Sequence, residues 1–290
     1  MLSLDVLIAG LAIGSIYGLL ALGYHVTFIV SSTVNFSLGA LLMLGAVLFY
    51  ELHTRAGINV WLSVLLVLVL CGLMGIIVER IFVRPFCQNN SISWLLSTIA
   101  LGIILENIVR FTFGKEPRSI PFPSIAEPIR LFGAGIYPIE IIIPLVGLLV
   151  SLVLWILSRK TIIGRALLGA AQNRDAATLQ GINVKQLIVL SYVVSTILAG
   201  LAGLLIALKI NVAAGMGTLF GLKAFAAAII GGMLSAPGCM IAGLGYGLLE
   251  YIIAAYLPSA YREIVGFSLL ILILIFKPNG LLGKKGVYKV

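Results

Sequence analysis

The sequence predicts an all-α polytopic membrane protein with one transmembrane domain, residues 1–290. Its composition is the first observation: 61% of the residues are hydrophobic and 10% are charged, whereas about a quarter of the residues of a soluble protein are charged. Several apolar runs also approach or reach the ~17–25 residues that cross a bilayer as a helix. They do not alternate between apolar and polar residues, which excludes a β-barrel. We expect about eight or nine membrane segments, some of them broken or half-spans, in two pseudo-repeated lobes.

The net charge of +9 is interpreted as an orientation signal. The basic side chains concentrate in the turn at 80–84, in the loop 159–186 and in the tail from Lys277. Because cytoplasmic loops carry an excess of Lys and Arg, these stretches are predicted to lie in the cytoplasm. The C-terminus is then cytoplasmic, and the number of spans places the N-terminus outside. Nucleic acid is not expected as a partner.

The first span carries a ladder of small residues. Gly10, Gly14, Gly18 and Gly23 recur at four- and five-residue spacing, which lets a neighbouring helix approach closely. The N-terminal run has no basic leader and continues past Phe28, so we interpret it as this span rather than as a cleaved signal peptide. The complete set of predicted spans is about 5–30, 36–52, 58–79, 92–111, 139–158, 187–208, 217–232, 239–256 and 261–277.

Polar residues interrupt the apolar signal after the first span, at 31–40, and the run that resumes at 41–50 is too short to cross alone at ~1.5 Å per residue. A surface turn would explain this interruption. A broken helix inside the membrane is favoured, because the side chains of Ser, Thr and Asn can satisfy freed backbone groups.

A second break repeats this pattern. A span at 187–208 is followed by a polar, glycine-rich stretch at 211–218 and by a short apolar run. Residues 5–50 and 187–232 are therefore interpreted as two copies of one unit. Paired broken segments in corresponding halves of a chain indicate the central site of a transporter.

Few ionisable residues fall inside the predicted spans. Glu106 and Arg110 are four residues apart on one helix face, so each can offset the charge of the other. They either line a substrate path or reach to the membrane surface. Acids or histidines arranged as a proton relay are not found, which favours an energy source outside the chain.

Enzymatic and metal-binding patterns are also missing from the sequence. It contains no nucleotide-binding glycine loop, no nucleophile paired with a base and no paired carboxylates suited to acid-base chemistry. The three cysteines and two histidines are scattered, and their spacing does not suggest a metal site. We therefore expect neither catalysis nor a bound metal.

Two hydrophilic stretches are long enough to meet other proteins. The loop 114–138 is rich in proline and is predicted to lie outside, where it would be either a linker or a contact for a partner. The stretch 164–184 has many helix-forming residues and stops at Gly181, a residue that tolerates the positive φ of a helix end. It is predicted to be a short cytoplasmic helix.

Several motifs resemble those of a known family. Asp175-Ala-Ala followed by Gly181 resembles the Glu-Ala-Ala loop of binding-protein-dependent ABC importer permeases, with Asp in place of Glu. The chain is most similar to the LivH-type branched-chain amino acid permeases, and the resemblance spans nearly all of it. The stretches that carry it are Gly164-Arg-Ala, Ala171-Gln, Gly181-Ile-Asn-Val, Asn35-Phe-Ser-Leu-Gly-Ala, Leu44-Gly-Ala, 221–232, Pro237-Gly and 276–283.

The resemblance implies a permease of the bacterial inner membrane that moves branched-chain or other neutral amino acids into the cytoplasm. Its implied partners are a LivM-like permease subunit, two cytoplasmic ATPases and a periplasmic binding protein, besides membrane lipid. ATP and Mg²⁺ would bind to the ATPases, and no cofactor to this chain. The family often has Gln at the position of Glu106, so the added charge could alter substrate preference.

Two sets of residues follow as candidates. The loop 159–186 would hold a coupling helix seated in an ATPase, formed by Gly164, Arg165, Arg174, Asp175, Ala176, Ala177 and Gly181. The substrate path would be lined by Asn35, Ser37, Gly39, Glu106, Gly221 and Lys223.

Three alternatives stay open at this point. The same kind of importer could carry urea, short amides or small aromatic acids. An ion-coupled secondary carrier would need no partner subunits. A purely structural membrane subunit would leave the path to its partner.

Overall fold

Helices form almost all of the regular structure in the computed structural model, which describes residues 4–87, 92–122, 127–131, 134–258 and 261–283. The first part of the chain contains α1 (Leu4–Ser31), α2 (Leu38–Phe49), α3 (Val60–Ile77) and α4 (Ser93–Thr112). A π-helix, Tyr50–Arg55, continues α2, and a second, Val78–Val83, continues α3 into a short 3₁₀ turn, Arg84–Phe86. The later helices are α5 (Pro138–Lys160), α6 (Ile162–Gln172), α7 (Arg174–Leu179), α8 (Val184–Ala207), α9 (Met216–Gly231), α10 (Ala236–Tyr256) and α11 (Tyr261–Phe276).

The predicted all-α membrane architecture is confirmed. Within the described residues, six helices are long and apolar enough to cross a membrane. They are α1, α3 with its extension to Phe86, α4, α5, α8 and α10. The other predicted segments correspond to α2 with its π-helical continuation, α9 and α11, all of which are shorter. Lys284, Lys285 and Lys289 of the predicted basic tail lie outside the described residues.

One element was not predicted. The loop 114–138 contains a two-stranded antiparallel hairpin, β1 (Ile129–Leu131) and β2 (Ala134–Ile136), in which Ile129 pairs with Ile136. Arg118 of the same loop pairs with Val212, which precedes α9. This loop is therefore fastened to the bundle at the second break of the chain.

The glycine ladder of the first span packs as predicted. Helix α1 crosses α10 so closely that a Cβ atom on Gly14 would lie 2.7 Å from the backbone oxygen of Leu244. A Cβ on Gly243 would lie 2.4 Å from Cα of Gly18. At these glycines there is room for a hydrogen atom but not for a side chain. Small residues therefore allow the helices at the centre of the bundle to pack closely.

Each long helix of one copy packs against the short helix of the other. Helix α2 lies on α8, where a Cβ on Gly203 would clash with the carbonyl oxygen of Leu42. Helix α9 lies on α1, where the Tyr24 hydroxyl donates a hydrogen bond of 3.2 Å to the Gly221 carbonyl. The two copies 5–50 and 187–232 are thus interlocked, and their breaks meet in the interior of the bundle.

Candidate functional site

A groove forms where the two broken segments meet. The backbones of α2 and α9 approach closely at the start of α2: a Cβ on Gly39 would lie 2.3 Å from the Gly217 carbonyl oxygen and 3.0 Å from Cα of Gly221. Gly39 and Gly221 stand at the same distance from the start of each copy. Beside this contact lies a cavity of about 290 Å³. Its walls are Tyr24, Phe36, Gly39, Ala40, Ile99, Gly102, Ile103, Glu106, Thr218, Gly221, Leu222 and Phe225.

Glu106 is the acidic residue in the lining of this groove. Its Oε1 accepts a hydrogen bond from Arg110, one turn along α4. Its Oε2 accepts one of 3.1 Å from the hydroxyl of Thr218 on α9. The carboxylate therefore links two helices across the groove, next to a compensating positive charge.

The polar residues of the first break satisfy backbone groups, as the broken-helix hypothesis requires. Asn35 and Ser37 are both fully buried. The Asn35 Oδ1 accepts hydrogen bonds from the backbone N–H of Ser37, at 3.1 Å, and from its hydroxyl, at 2.6 Å. The Phe36 N–H donates to the Thr98 hydroxyl. The buried Asn35 Nδ2 has no partner among the described residues.

The structure brings together some of the predicted path residues but not all. Gly39, Glu106 and Gly221 line the groove. Asn35 and Ser37 are not among its lining residues and belong to the buried segment that leads to it. Lys223 is buried elsewhere, where its Nζ donates to Glu250 Oε1 at 2.7 Å.

Sequence reasoning missed several residues of the groove. Tyr24, Phe36 and Phe225 supply aromatic walls, and Thr218 supplies the hydroxyl that meets Glu106. Thr218 had a signal, because it is a polar residue of the second break. The aromatic residues had none, since their positions depend on how the helices pack.

The hydrophilic loop forms two helices rather than the single one predicted. The chain bends at Asn173, which ends α6 and starts α7, and the Asn173 Oδ1 accepts from the Ala176 N–H at 3.0 Å. Ser, Asp and Asn compete for backbone hydrogen bonds and so favour helix starts. At Gly164 the loop turns back tightly, because a Cβ there would lie 2.2 Å from the Leu157 carbonyl oxygen.

The remaining loop residues have distinct roles in the local fold. Ala177 is buried and Asp175 lies in the first turn of α7, where its charge suits the helix dipole. Gly181 has a φ of +80°, so the predicted helix end is confirmed. Arg165 lies in α6 and Ala176 in α7. Ile162 is 79% exposed and Leu179 is 90% exposed.

Two apolar side chains of this loop are therefore largely exposed. Ile162 and Leu179 flank the two short helices at their outer ends. The described residues contain no group of three or more His, Cys, Asp and Glu side chains that could hold a metal ion.

Comparison with known proteins identifies the family. Residues 6–274 match the family described as branched-chain amino acid transport system / permease component. The chain belongs to this family. The permease is 33% identical over 97% of its length to the high-affinity branched-chain amino acid transport system permease protein LivH of Escherichia coli strain K12, of which it covers 96%. It is 32% identical over 99% of its length to the permease protein BraD of Pseudomonas aeruginosa, of which it covers 98%.

The resemblance seen in the sequence is therefore confirmed. The chain is a multi-pass membrane permease component of an amino acid importer.

Proposed function

We propose that the groove between the two broken segments is one wall of the translocation path of an ATP-driven importer in the bacterial inner membrane. The observation that carries the proposal is the meeting of Gly39 and Gly221 beside Glu106. Irregular backbone at membrane depth is tolerated where it faces protein or a watery cavity, and such breaks form the central site in many transporters. A LivM-like permease subunit would supply the facing wall.

The chemistry of the groove fits a neutral amino acid with an apolar side chain. Aliphatic and aromatic walls would accept the side chain, while Glu106 in the wall and Arg110, one turn along α4, offer opposite charges to its ammonium and carboxylate groups. A cavity of about 290 Å³ suits a small molecule. Affinity would reside in a periplasmic binding protein, so the permease would hold its cargo weakly during passage.

The loop 159–186 would be the cytoplasmic coupling element, seated in a groove of one of two ATPases. ATP and Mg²⁺ would bind to those subunits, and this chain would not hydrolyse ATP. Ile162 and Leu179 would be covered on docking. The excess of basic side chains around this end of the bundle supports a cytoplasmic position for it, with the C-terminus on the same side and the N-terminus outside.

Reconstitution tests the transport proposal. The permease with its partner subunit and ATPases is placed in proteoliposomes, and uptake of labelled leucine, isoleucine and valine is measured with binding protein and ATP. We expect uptake of the labelled amino acids only when the binding protein and ATP are both present. Uptake by this chain alone, driven by a proton or sodium gradient, would show a secondary carrier instead. Preferential uptake of urea or an aromatic acid would change the assigned substrate but would still support an ATP-driven importer.

The coupling role is tested at Gly181. Gly181→Val forces a β-branched residue to a φ of +80°, at a cost of about 1–3 kcal/mol, although a Cβ there meets no atom within 4 Å. We expect lower transport and lower binding-protein-stimulated ATPase activity, with normal membrane insertion. Gly181→Asn is the matched control, because Asn tolerates this conformation. Equal activity of Val and Asn variants would argue against the coupling role.

A further inference from the structure

One hydrogen bond joins the coupling loop to the first break. The Arg174 guanidinium, at the start of α7, donates to the Ser32 hydroxyl at 3.0 Å. Ser32 follows the last residue of α1, and five residues separate it from Leu38, where α2 begins. Two residues far apart in the sequence thus meet at the entrance to the segment that leads to the groove.

Ser32 has an unusual backbone conformation. Its φ is +55°, and among the described residues it is the one non-glycine residue with a left-handed backbone conformation. Its N–H donates to the Phe28 carbonyl at 2.9 Å, so it ends α1 in the manner usually left to glycine. A serine held in this region stores strain that the surroundings must balance. The hydrogen bond from Arg174 is one of the contacts that balance this strain.

The segment beyond Ser32 is held by hydrogen bonds to other helices. Thr33 bonds the buried Tyr192 hydroxyl of α8 at 2.7 Å and the Ser31 hydroxyl at 2.6 Å. The Phe36 N–H donates to Thr98 of α4. A displacement at Ser32 would therefore be passed along the segment toward Gly39 rather than absorbed by loose chain.

The amide of Asn35 lies in the middle of this segment and is buried. Its Nδ2 is buried without a partner among the described residues. A buried donor left unpaired is unfavourable and rare in a settled structure.

We infer that the Arg174 and Ser32 contact is a positioning link that transmits movement of the coupling loop to the groove. This inference rests on the proposed importer function. The link acts through residues 33–37, since neither Arg174 nor Ser32 is among the residues lining the groove. Loss of this link should reduce the amount of substrate transported per ATP hydrolysed, without stopping hydrolysis or transport altogether.

The test is the number of substrate molecules transported per ATP hydrolysed by the reconstituted complex. Ser32→Ala should lower this ratio about threefold to tenfold, the effect of losing one hydrogen bond, while binding-protein-stimulated hydrolysis continues. Ser32→Asn keeps a polar side chain and tolerates the left-handed backbone, so it should restore much of the ratio. Lys277→Ala removes an exposed cation just after α11, outside the loop 159–186, and should leave the ratio unchanged.

A double-mutant cycle distinguishes transmission from a local effect. If the link is real, Ser32→Ala with Arg174→Gln lowers the ratio no further than either single change. Additive losses, or an unchanged ratio in Ser32→Ala and Ser32→Gly, would overturn the inference while leaving the importer function standing. A wild-type complex without binding-protein-stimulated hydrolysis would overturn both.

Discussion

Glu106 is the residue at which the groove has its most specific chemistry. It is paired with Arg110 and bonded to Thr218, and its side chain is 23% exposed. A half-exposed ion pair of this kind contributes about 0–1 kcal/mol, so its main consequence is the charge that it presents to cargo.

Substitution of Glu106 should therefore affect uptake more than folding. Glu106→Lys would place a second cation one turn from Arg110, beside the groove. Because this cation would repel the ammonium group of leucine, we expect the initial rate of leucine uptake to fall about tenfold or more. Glu106→Gln keeps an acceptor for Thr218 and should stay within a few-fold of the wild type. Uptake rates at several leucine concentrations, corrected for protein in the membrane, give this comparison. Equal rates in Lys and Gln variants would remove Glu106 from the path.

Lys223 and Glu250 form a different kind of pair. Their side chains are 10% and 8% exposed, and the Tyr17 hydroxyl also donates to Glu250 at 2.8 Å. The pair and Tyr17 thus hold α9 against α10 and α1. The face of α9 that makes these contacts points away from the groove. Lys223 comes two residues after Gly221, and at 3.6 residues per turn such positions lie on nearly opposite sides of a helix.

Removing one member of this pair should destabilise the permease. Lys223→Met leaves the Glu250 charge buried without its partner, which costs about 3–5 kcal/mol. Lys223→Met with Glu250→Met removes both charges and should recover most of the loss. Thermal unfolding of the purified permease in detergent measures this difference. A double variant no more stable than Lys223→Met would refute this explanation.

At the scale of elements, glycine contacts determine which helices can cross. The contact of α1 with α10 places backbone against backbone at Gly14, Gly18 and Gly243. Two residues along α10, Gly245 has no atom within 4 Å of a Cβ position. The same helix therefore offers a crowded and an open glycine.

These two glycines should respond in opposite ways to alanine. Gly243→Ala would push its Cβ against the α1 backbone, separating the helices and lowering the unfolding temperature by several degrees. Gly245→Ala should leave the permease as stable or raise its stability by about 0.5–1 kcal/mol, because alanine favours a helix. Heating the two variants in detergent side by side decides this. Equal behaviour would show that close packing is not what holds α1 to α10.

The elements were largely predictable because the membrane fixes their length. A hydrocarbon layer of ~30 Å demands long apolar runs, and polar interruptions between them mark breaks. The end at Gly181 was predictable because a left-handed backbone selects glycine. The bend at Asn173 was not predicted, since the Ala- and Leu-rich loop has continuous helix propensity and one capping side chain overrides it.

The candidate site was less predictable than the fold. Gly39, Glu106 and Gly221 were predicted because breaks in the apolar runs, and charges inside those runs, are visible in the sequence. Tyr24 and Phe225 were not, because an aromatic residue in an apolar helix carries no signal of the face it occupies. Lys223 had such a signal in its spacing from Gly221, and its predicted role in the path stays a prediction.

At the scale of the whole molecule, the two copies explain why one chain has a groove at its centre. Each copy supplies a long helix for the other's short helix to pack on, and the starts of α2 and α9 meet as a result. The break of the first copy is also the one that the coupling loop touches, through Ser32. Orientation in the membrane then decides whether that loop can meet an ATPase.

Cys87 gives a direct test of this orientation. It follows the 3₁₀ turn at the end of α3 and is exposed, whereas Cys71 and Cys239 are buried, so an impermeant maleimide should react at one native site. Labelling is expected in inside-out vesicles and not in intact spheroplasts, with Cys87→Ser as the unlabelled control. Partial burial of the Cys87 thiol and the Glu79 carboxylate raise its pKa, while Arg174 lowers it.

The raised pKa gives this labelling a defined pH dependence. Since the thiolate is the reactive form and less of it is present at neutral pH than for an ordinary thiol, the rate should keep rising as the pH passes the ordinary thiol pKa. Arg174→Gln removes a lowering influence and should slow labelling at a given pH. A label found only from the outside would reverse the orientation derived from the basic residues. The coupling loop, which contacts the same region through Arg174, could then not meet a cytoplasmic ATPase.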